Sequence, residues 1–307
     1  MNKIERVRAT LAGRPVDYPP FTLWCHFGMQ CAPPEVAAQA HIEFCKGYDL
    51  DLLKVMGDYE YPMPRGVDVI ETPADLQKLT PLDVTQDPIR KQLKTLEIIA
   101  REMKGTALFI DTVFDAWNIF RRSLLKEALP TVMAEHPGAL EEAITIVNRN
   151  LIRYALASLE LGAAGVFYAV QASAESMTRE QYERFVRPYN LEFFEAIAGK
   201  GECHILHAHG DQVYFDRLLD YPVHVLSWDN INSGPSISEM RRRTPLTLMA
   251  GLDHKKFHAL SAKALREQAK AARAQAGNTK FILTPGCAVE TWTQAPFIRA
   301  AREAARA

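Results

Sequence analysis

The sequence predicts an α/β fold, specifically a single (β/α)₈ TIM barrel spanning residues 1–307, and three observations carry that expectation. Short apolar runs rich in β-branched and aromatic residues alternate with longer stretches of helical periodicity along the whole chain. Eight such runs can be counted, and parallel neighbours in a sheet need a crossover that is normally a helix. The turn after the first run, Trp24-Cys-His-Phe-Gly28, is not the glycine-rich turn that an open doubly wound sheet would show. A length of 307 residues suits one barrel of about 250 residues with loop insertions.

The strands expected are Phe21–Trp24, Leu52–Met56, Ala107–Thr112, Gly165–Val170, His204–Ala208, Val223–Trp228, Leu246–Ala250 and Phe281–Thr284. Between them, Pro34–Lys46 opens with proline in its first turn and stops at Gly47, as a helix should. Ile89–Met103 ends ahead of Gly105, and Ala139–Leu161 carries one apolar stripe at 3.6-residue spacing. Arg179–Ala198, Gln212–Leu219, Ile237–Arg243, Ala262–Gln275 and Gln294–Ala305 complete the helices. Asp115–Met133 reads as two helices broken near Pro130.

With 36 basic and 37 acidic residues the chain has no cationic excess to neutralise phosphates, which argues against a nucleic-acid partner. No apolar stretch approaches the roughly 18 residues of a membrane helix, and the N-terminus lacks a signal-peptide apolar block. Five cysteines without a C-x-x-C argue for a reducing compartment, so the expectation is a soluble, cytoplasmic protein.

In a barrel the catalytic groups lie at the C-terminal ends of the strands. The sharpest constellation there is Leu206-His-Ala-His-Gly210 with Thr284-Pro-Gly-Cys287. Residues i and i+2 of a strand point the same way, so His207 and His209 face one side together. Two imidazoles and a thiolate with an open fourth position describe a catalytic zinc site. The bland reading makes the histidines hydrogen-bonding groups for an organic substrate and Cys287 a small packing residue. Further candidates are Asp58, Asp229 and His254 as acid/base groups, and His26, Tyr59, Gln171, Trp228 and Trp292 as substrate contacts. Each has a structural alternative: a turn before Pro62 for Asp58 and Tyr59, core packing for Trp228, a solvated ring beside two lysines for His254.

Three segments together resemble the uroporphyrinogen decarboxylase superfamily. They are Arg6-Val-Arg-Ala-Thr-Leu-Ala-Gly-Arg-Pro-Val-Asp-Tyr-Pro-Pro20, Met177-Thr-Arg-Glu-Gln-Tyr-Glu-Arg-Phe-Val-Arg-Pro-Tyr189 and Phe281-Ile-Leu-Thr-Pro-Gly-Cys287. One branch of it decarboxylates without metal and grips carboxylates with arginines after the first strand, where this chain reads Cys25-His-Phe-Gly-Met-Gln30 and has none. The resemblance therefore implies a substrate other than uroporphyrinogen. A second branch, zinc-dependent methyltransferases, moves a methyl group from a corrinoid protein to a thiol and binds zinc through H-x-C and P-G-C. His207 and Cys287 match, whereas His209 stands where that branch has cysteine. Bacterial members with H-x-H-G are most similar, also around Ser227-Trp-Asp-Asn-Ile-Asn-Ser-Gly-Pro235. Exchanging one thiolate for imidazole leaves the zinc site more positive, which shifts it toward Lewis-acid work unless Glu175, Asp229 or Cys25 adds a fourth ligand.

Three functions follow. The first is a zinc-dependent methyl or alkyl transferase acting on a small molecule, with a corrinoid protein as the donor's carrier. The second is a metal-free decarboxylase, in which His207 and His209 donate hydrogen bonds and Asp58 stabilises a protonated intermediate. The third is a non-catalytic barrel that binds a small molecule. The resemblance also carries the expectation of a homodimer.

Overall fold

A computed structural model describes residues 1–277 and 279–307. Seven strands lie side by side in chain order, every neighbouring pair parallel: β1 (Leu52–Val55), β2 (Leu108–Phe114), β3 (Val166–Gln171), β4 (Ile205–His209), β5 (Val225–Trp228), β6 (Thr247–Leu252) and β7 (Phe281–Pro285). The sheet curls until its edges approach, and the segment around Phe21 fills the gap. Leu283 N–H donates to the Pro20 carbonyl and Thr22 N–H to the Leu283 carbonyl on one side, while Asp51 N–H donates to the Phe21 carbonyl on the other. Phe21 makes a single parallel bridge to Leu283. The eighth stave is thus present where expected, bonded too sparsely to count as a strand. A run bounded by Pro19 and Pro20 has few backbone donors to offer a ladder.

Alternation sorts the strand residues into two apolar layers. Leu52, Ile110, Phe167, Ile205, Val225, Met249 and Ile282 fill the barrel. Their neighbours Leu53, Phe109, Tyr168, Leu206, Leu226, Leu248 and Leu283 pack outward against the helices. The N-terminal helix Lys3–Leu11, which the periodicity did not announce, adds Val7 to the inner layer and plugs the barrel floor. Beside it Arg6 pairs with Asp17 at 2.7 Å and Asp51 at 2.6 Å, and Arg302 reaches Asp51 at 3.0 Å. This network ties the first helix, the start of β1 and the last helix, Ala295–Arg306, together at the face opposite the strand ends.

Three helical expectations need correction. Arg179–Ala198 is two helices, Arg179–Phe185 and Arg187–Ala196. Pro188 supplies no N–H and its ring displaces the carbonyl one turn earlier, so the chain breaks at Val186. Gln212–Leu219 shortens to one 3₁₀ turn, Phe215–Arg217. The Gln212 carbonyl and Tyr214 N–H are taken by Ala174 and Ala172, a bridge that competes with helix. Pro130 begins the helix Leu129–Glu135 instead of breaking one. The break falls earlier, after the short helix Ala116–Ile119 and a π-helical turn, Phe120–Leu124. The five cysteines are free, and no helix among the described residues is long and apolar enough to cross a membrane.

Candidate metal centre at the barrel mouth

His207 and His209 occupy the last inward-facing positions of β4, and Cys287 sits two residues past the end of β7. One donor atom from each of the three lies within 4.8 Å of the other two. Backbone constraints produce this convergence at two glycines. Gly210 adopts φ +102°, and a Cβ there would stand 2.7 Å from Ser173 Oγ. A Cβ on Gly286 would stand 2.7 Å from the Asp229 Cα, because the chain leaving β7 runs directly against the end of β5. The glycines after His209 and before Cys287 are therefore what the close approach requires.

His207 is buried, and its Nδ1 faces the Ser227 hydroxyl at 3.1 Å from the paired position on β5. With Nδ1–H donating to Ser227 Oγ, the Nε2 lone pair is left for a ligand, as a second-shell partner does for a metal-bound histidine. Burial, with His209 adding to it, holds the His207 imidazolium well below its ordinary pKa, so the ring is neutral. Burial and the nearby Arg121 lower His209 as well. Cys287 Sγ lies 3.9 Å from His209 Nδ1, and burial raises its thiol. Two neutral imidazoles and a thiol that a cation would deprotonate form a donor set suited to zinc. Cys25, Glu175 and Asp229 lie outside this cluster.

The three side chains form a wall between two recesses. One is a cavity of about 270 Å³ over the barrel interior, walled by Trp24, Phe167, Lys54, Arg121 and Arg122. The other, about 180 Å³, is lined by Glu175, Asp211, Asp229 and His254. His254 Nδ1 stands 3.3 Å from Asp229 Oδ2, and burial lowers its pKa although Asp229 opposes the shift. Asp229 is largely committed to its own turn, accepting from Ile231 N–H, Asn232 N–H and the Asn232 amide.

A third recess of about 200 Å³ adjoins the larger cavity and holds Asp58 and Tyr59. Asp58 accepts from His26 Nδ1 at 3.0 Å and from Met29 N–H. Burial works against its carboxylate, yet the His26 hydrogen bond keeps its pKa below the usual value. His26 lines both this recess and the main cavity. Gln171, at the end of β3, donates to Ser173 Oγ behind Gly210 and lines neither cavity.

Two more expected substrate contacts stand elsewhere. Trp228 is buried on the outer face of β5, its ring edge-on to Phe215 and its indole N–H donating to the Pro235 carbonyl at 2.9 Å. Ser227 faces inward, so its neighbour must face outward. Trp292 is 64% exposed and packs on His258 at the rim, outside the cavity walls.

The site contains an ionisable residue the sequence reading passed over. Lys54, in the middle of the apolar run Leu52–Val55, points into the barrel beneath the candidate ligands. Its Nζ lies 4.3 Å from the Phe167 ring and 5.0 Å from that of Trp24, and it donates to Met56 Sδ at 2.7 Å. Burial pushes its pKa down to about 7 despite Cys287 and Asp58 nearby. A lysine inside an otherwise apolar strand was the available signal, since lysine is almost never fully buried without a partner.

The sequence matches the family model described as Uroporphyrinogen decarboxylase (URO-D) over residues 2–307. No curated protein matches it. Among solved structures, a methyltransferase from Methanosarcina mazei is 17% identical with a TM-score of 0.83, covering 99% of this chain and 98% of that one. A B12-independent methionine synthase from Shewanella sp. W3-18-1, in complex with selenomethionine, is 11% identical with a TM-score of 0.61, covering 95% and 92%. An endo-1,4-beta-mannanase from Rhizomucor miehei is 8% identical with a TM-score of 0.57, covering 94% of each. At such identities the likenesses establish the barrel, and the unlike chemistries of the second and third show how little a barrel says about reaction.

Proposed function

The chain belongs to the uroporphyrinogen decarboxylase family, and on that premise we propose that it is a zinc-dependent methyl- or alkyl-transferring enzyme. The observation that carries the proposal is the meeting of His207, His209 and Cys287 within 4.8 Å at the mouth, beside a cavity over the barrel interior. His207 Nε2, a His209 nitrogen and Cys287 Sγ would hold the zinc, whose Lewis acidity would serve to activate a thiol or polarise the departing group. The protein's own part is orientation and exclusion. Ser227 fixes the His207 ring, Gly210 and Gly286 let the two loops close on each other, and Trp24 and Phe167 wall the cavity against water.

A cavity of about 270 Å³ suits a small substrate, since drug-sized ligands take about 300–1,000 Å³. Together with the arginine-free segment Cys25–Gln30, this supports a substrate other than a tetrapyrrole. A corrinoid carried by a partner protein is the methyl donor we propose, on the resemblance to zinc methyltransferases alone. In the metal-free decarboxylase alternative Asp58 would stabilise the reacting centre. Its commitment to His26 and Met29 N–H in the adjoining recess favours the transferase instead.

The test is metal content by mass spectrometry on protein purified without chelator or affinity tag, beside Cys287→Ala. About one zinc per chain, lost in the variant, is the expected result. Absence of metal from both would sink the zinc reading. With zinc present, incubation with a methylated corrinoid and a small thiol should give the thioether; binding without turnover would leave a non-catalytic barrel.

A further inference from the structure

We propose that the small molecule handled at the mouth carries a short unbranched apolar arm, and that the arm lodges in a side recess opening beside the end of β2. The proposal rests on the transferase reading for the reacting end of that molecule, and on the recess itself for the arm.

β1 stops short of its neighbour. The pairing ends at Val55 with Asp111, so residues 112–114 of β2 have β3 on one side and no strand on the other. Gly57, on the loop leaving β1, stands in the gap. A Cβ there would lie 3.6 Å from the Thr112 carbonyl oxygen and 4.0 Å from Gln92 Nε2, and glycine leaves that space empty. Beyond the gap lies a recess of about 90 Å³, between the barrel and the helices Ile89–Met103 and Pro137–Glu160.

Ile89, Val113, Phe114, Ile119 and Leu151 wall the recess with Tyr61. Ile89, Phe114, Ile119 and Tyr61 are only half-buried, so apolar surface faces the space. The polar side chains of the wall are committed to the protein. Asn150 donates to the Tyr61 hydroxyl at 2.8 Å and the Thr80 carbonyl at 3.0 Å, and accepts from Leu82 N–H at 2.9 Å. Thr112 donates to the Val55 carbonyl at 2.6 Å and Gln92 to Asp111 at 3.3 Å. Glu60, the carboxylate of the wall, is exposed. A water needs roughly two to four polar partners and finds few here, whereas an alkyl group gains by leaving water. The volume is below the roughly 150 Å³ that admits a benzene ring, so a chain fits and a ring does not.

Shared walls join the recess to the mouth. Thr112 and Phe114 line both it and the main cavity, while Gly57, Tyr59 and Ile119 line both it and the recess of Asp58. Phe114 borders all three spaces and is the corner around which the arm turns.

Calorimetric titration of the metal-loaded protein with straight-chain thiols, from ethanethiol to pentanethiol, tests this. Beside the wild type stand two variants, Leu151→Phe to fill the recess and Gly57→Leu to plug the gap. In the wild type affinity should rise about fourfold for each methylene that enters the recess, then level off. Cyclopentanethiol should bind more weakly than pentanethiol. Each variant should abolish the rise while keeping zinc content and ethanethiol affinity. Affinity independent of chain length in the wild type, or a rise that survives in either folded variant, would overturn the arm. Straight-chain alcohols from ethanol to pentanol, titrated into metal-free protein, separate the two proposals. A length dependence that the variants remove, in a protein that takes no zinc, would support the recess while the metal reading fails. Normal zinc content with flat binding of thiols and alcohols would remove the arm alone.

Discussion

Replacing Asp111 with asparagine should stabilise the protein near neutral pH and leave it unchanged in acid. Asp111 lies on β2 with its side chain outside the barrel, fully buried. Its Oδ1 accepts from Thr112 N–H at 3.0 Å and Gln92 Nε2 at 3.3 Å, while Oδ2 has no partner. No cation pairs with it within 4.0 Å among the described residues. Burial raises its pKa from 3.8 to about 6, against the hydrogen bonds that lower it. Because the folded carboxyl holds its proton more tightly than the unfolded one, stability falls as pH rises from about 4 to about 6. Above that window the folded state carries a buried carboxylate at a cost of about 3 kcal/mol. Asparagine can keep the Oδ1 acceptor, never ionises, and brings its amide among Tyr154 and Ser158, which lie beside the carboxyl. Urea unfolding should therefore show Asp111→Asn more stable by up to about 3 kcal/mol at pH 8, with the gap near zero at pH 4. A variant no more stable at pH 8, or a gap of the same size at both pH values, would refute the assignment of the buried charge to Asp111.

Ser227→Ala removes the partner of His207 Nδ1 and should weaken zinc binding by about 10–100-fold in competition with a chromophoric chelator. Unchanged affinity would show that Ser227 does not position a ligand. Gly286→Ala places a methyl group 2.7 Å from the Asp229 backbone, which cannot yield as a side-chain tip can. It should destabilise the fold by about 1–3 kcal/mol and abolish stoichiometric metal. Gly138→Ala, where the added Cβ meets open space, is the control and should be neutral or slightly stabilising. Wild-type metal content in Gly286→Ala would separate the P-G-C turn from the candidate site.

What the sequence disclosed and what it withheld divide along one physical line. Within a strand, parity is absolute: once His207 faces the mouth, His209 must too, so the pair was legible without coordinates. Between strands, parity depends on register, which no single run contains. Ser227 and Trp228 are equally plausible inward residues until the pairing of His207 with Ser227 decides between them. The same gap hid Trp24 and Phe167, which read as generic apolar strand residues and prove to be walls of the cavity. Lys54 was different, since a lysine amid leucine and valine is anomalous in any register.

The family motifs themselves fall at opposite ends of the barrel, and this bears on how far family membership reaches. Arg6 of the N-terminal motif pairs with Asp17 of the same motif and with Asp51 at the floor, where they hold the first helix over the barrel. Pro285-Gly-Cys287 lies at the mouth, shaped by contact with Asp229. Residues at the floor secure the fold and are indifferent to the reaction, whereas those at the strand ends set it. A match over residues 2–307 is thus compatible with chemistry unlike the family's name. The two departures noted from the family's motifs, histidine at position 209 and no arginine in Cys25–Gln30, both occur at the mouth. A zinc held by one thiolate in place of two would leave its site more positive by one charge. The adjoining cavity wall carries Lys54, Arg121 and Arg122 and no aspartate or glutamate, so that side of the mouth is cationic.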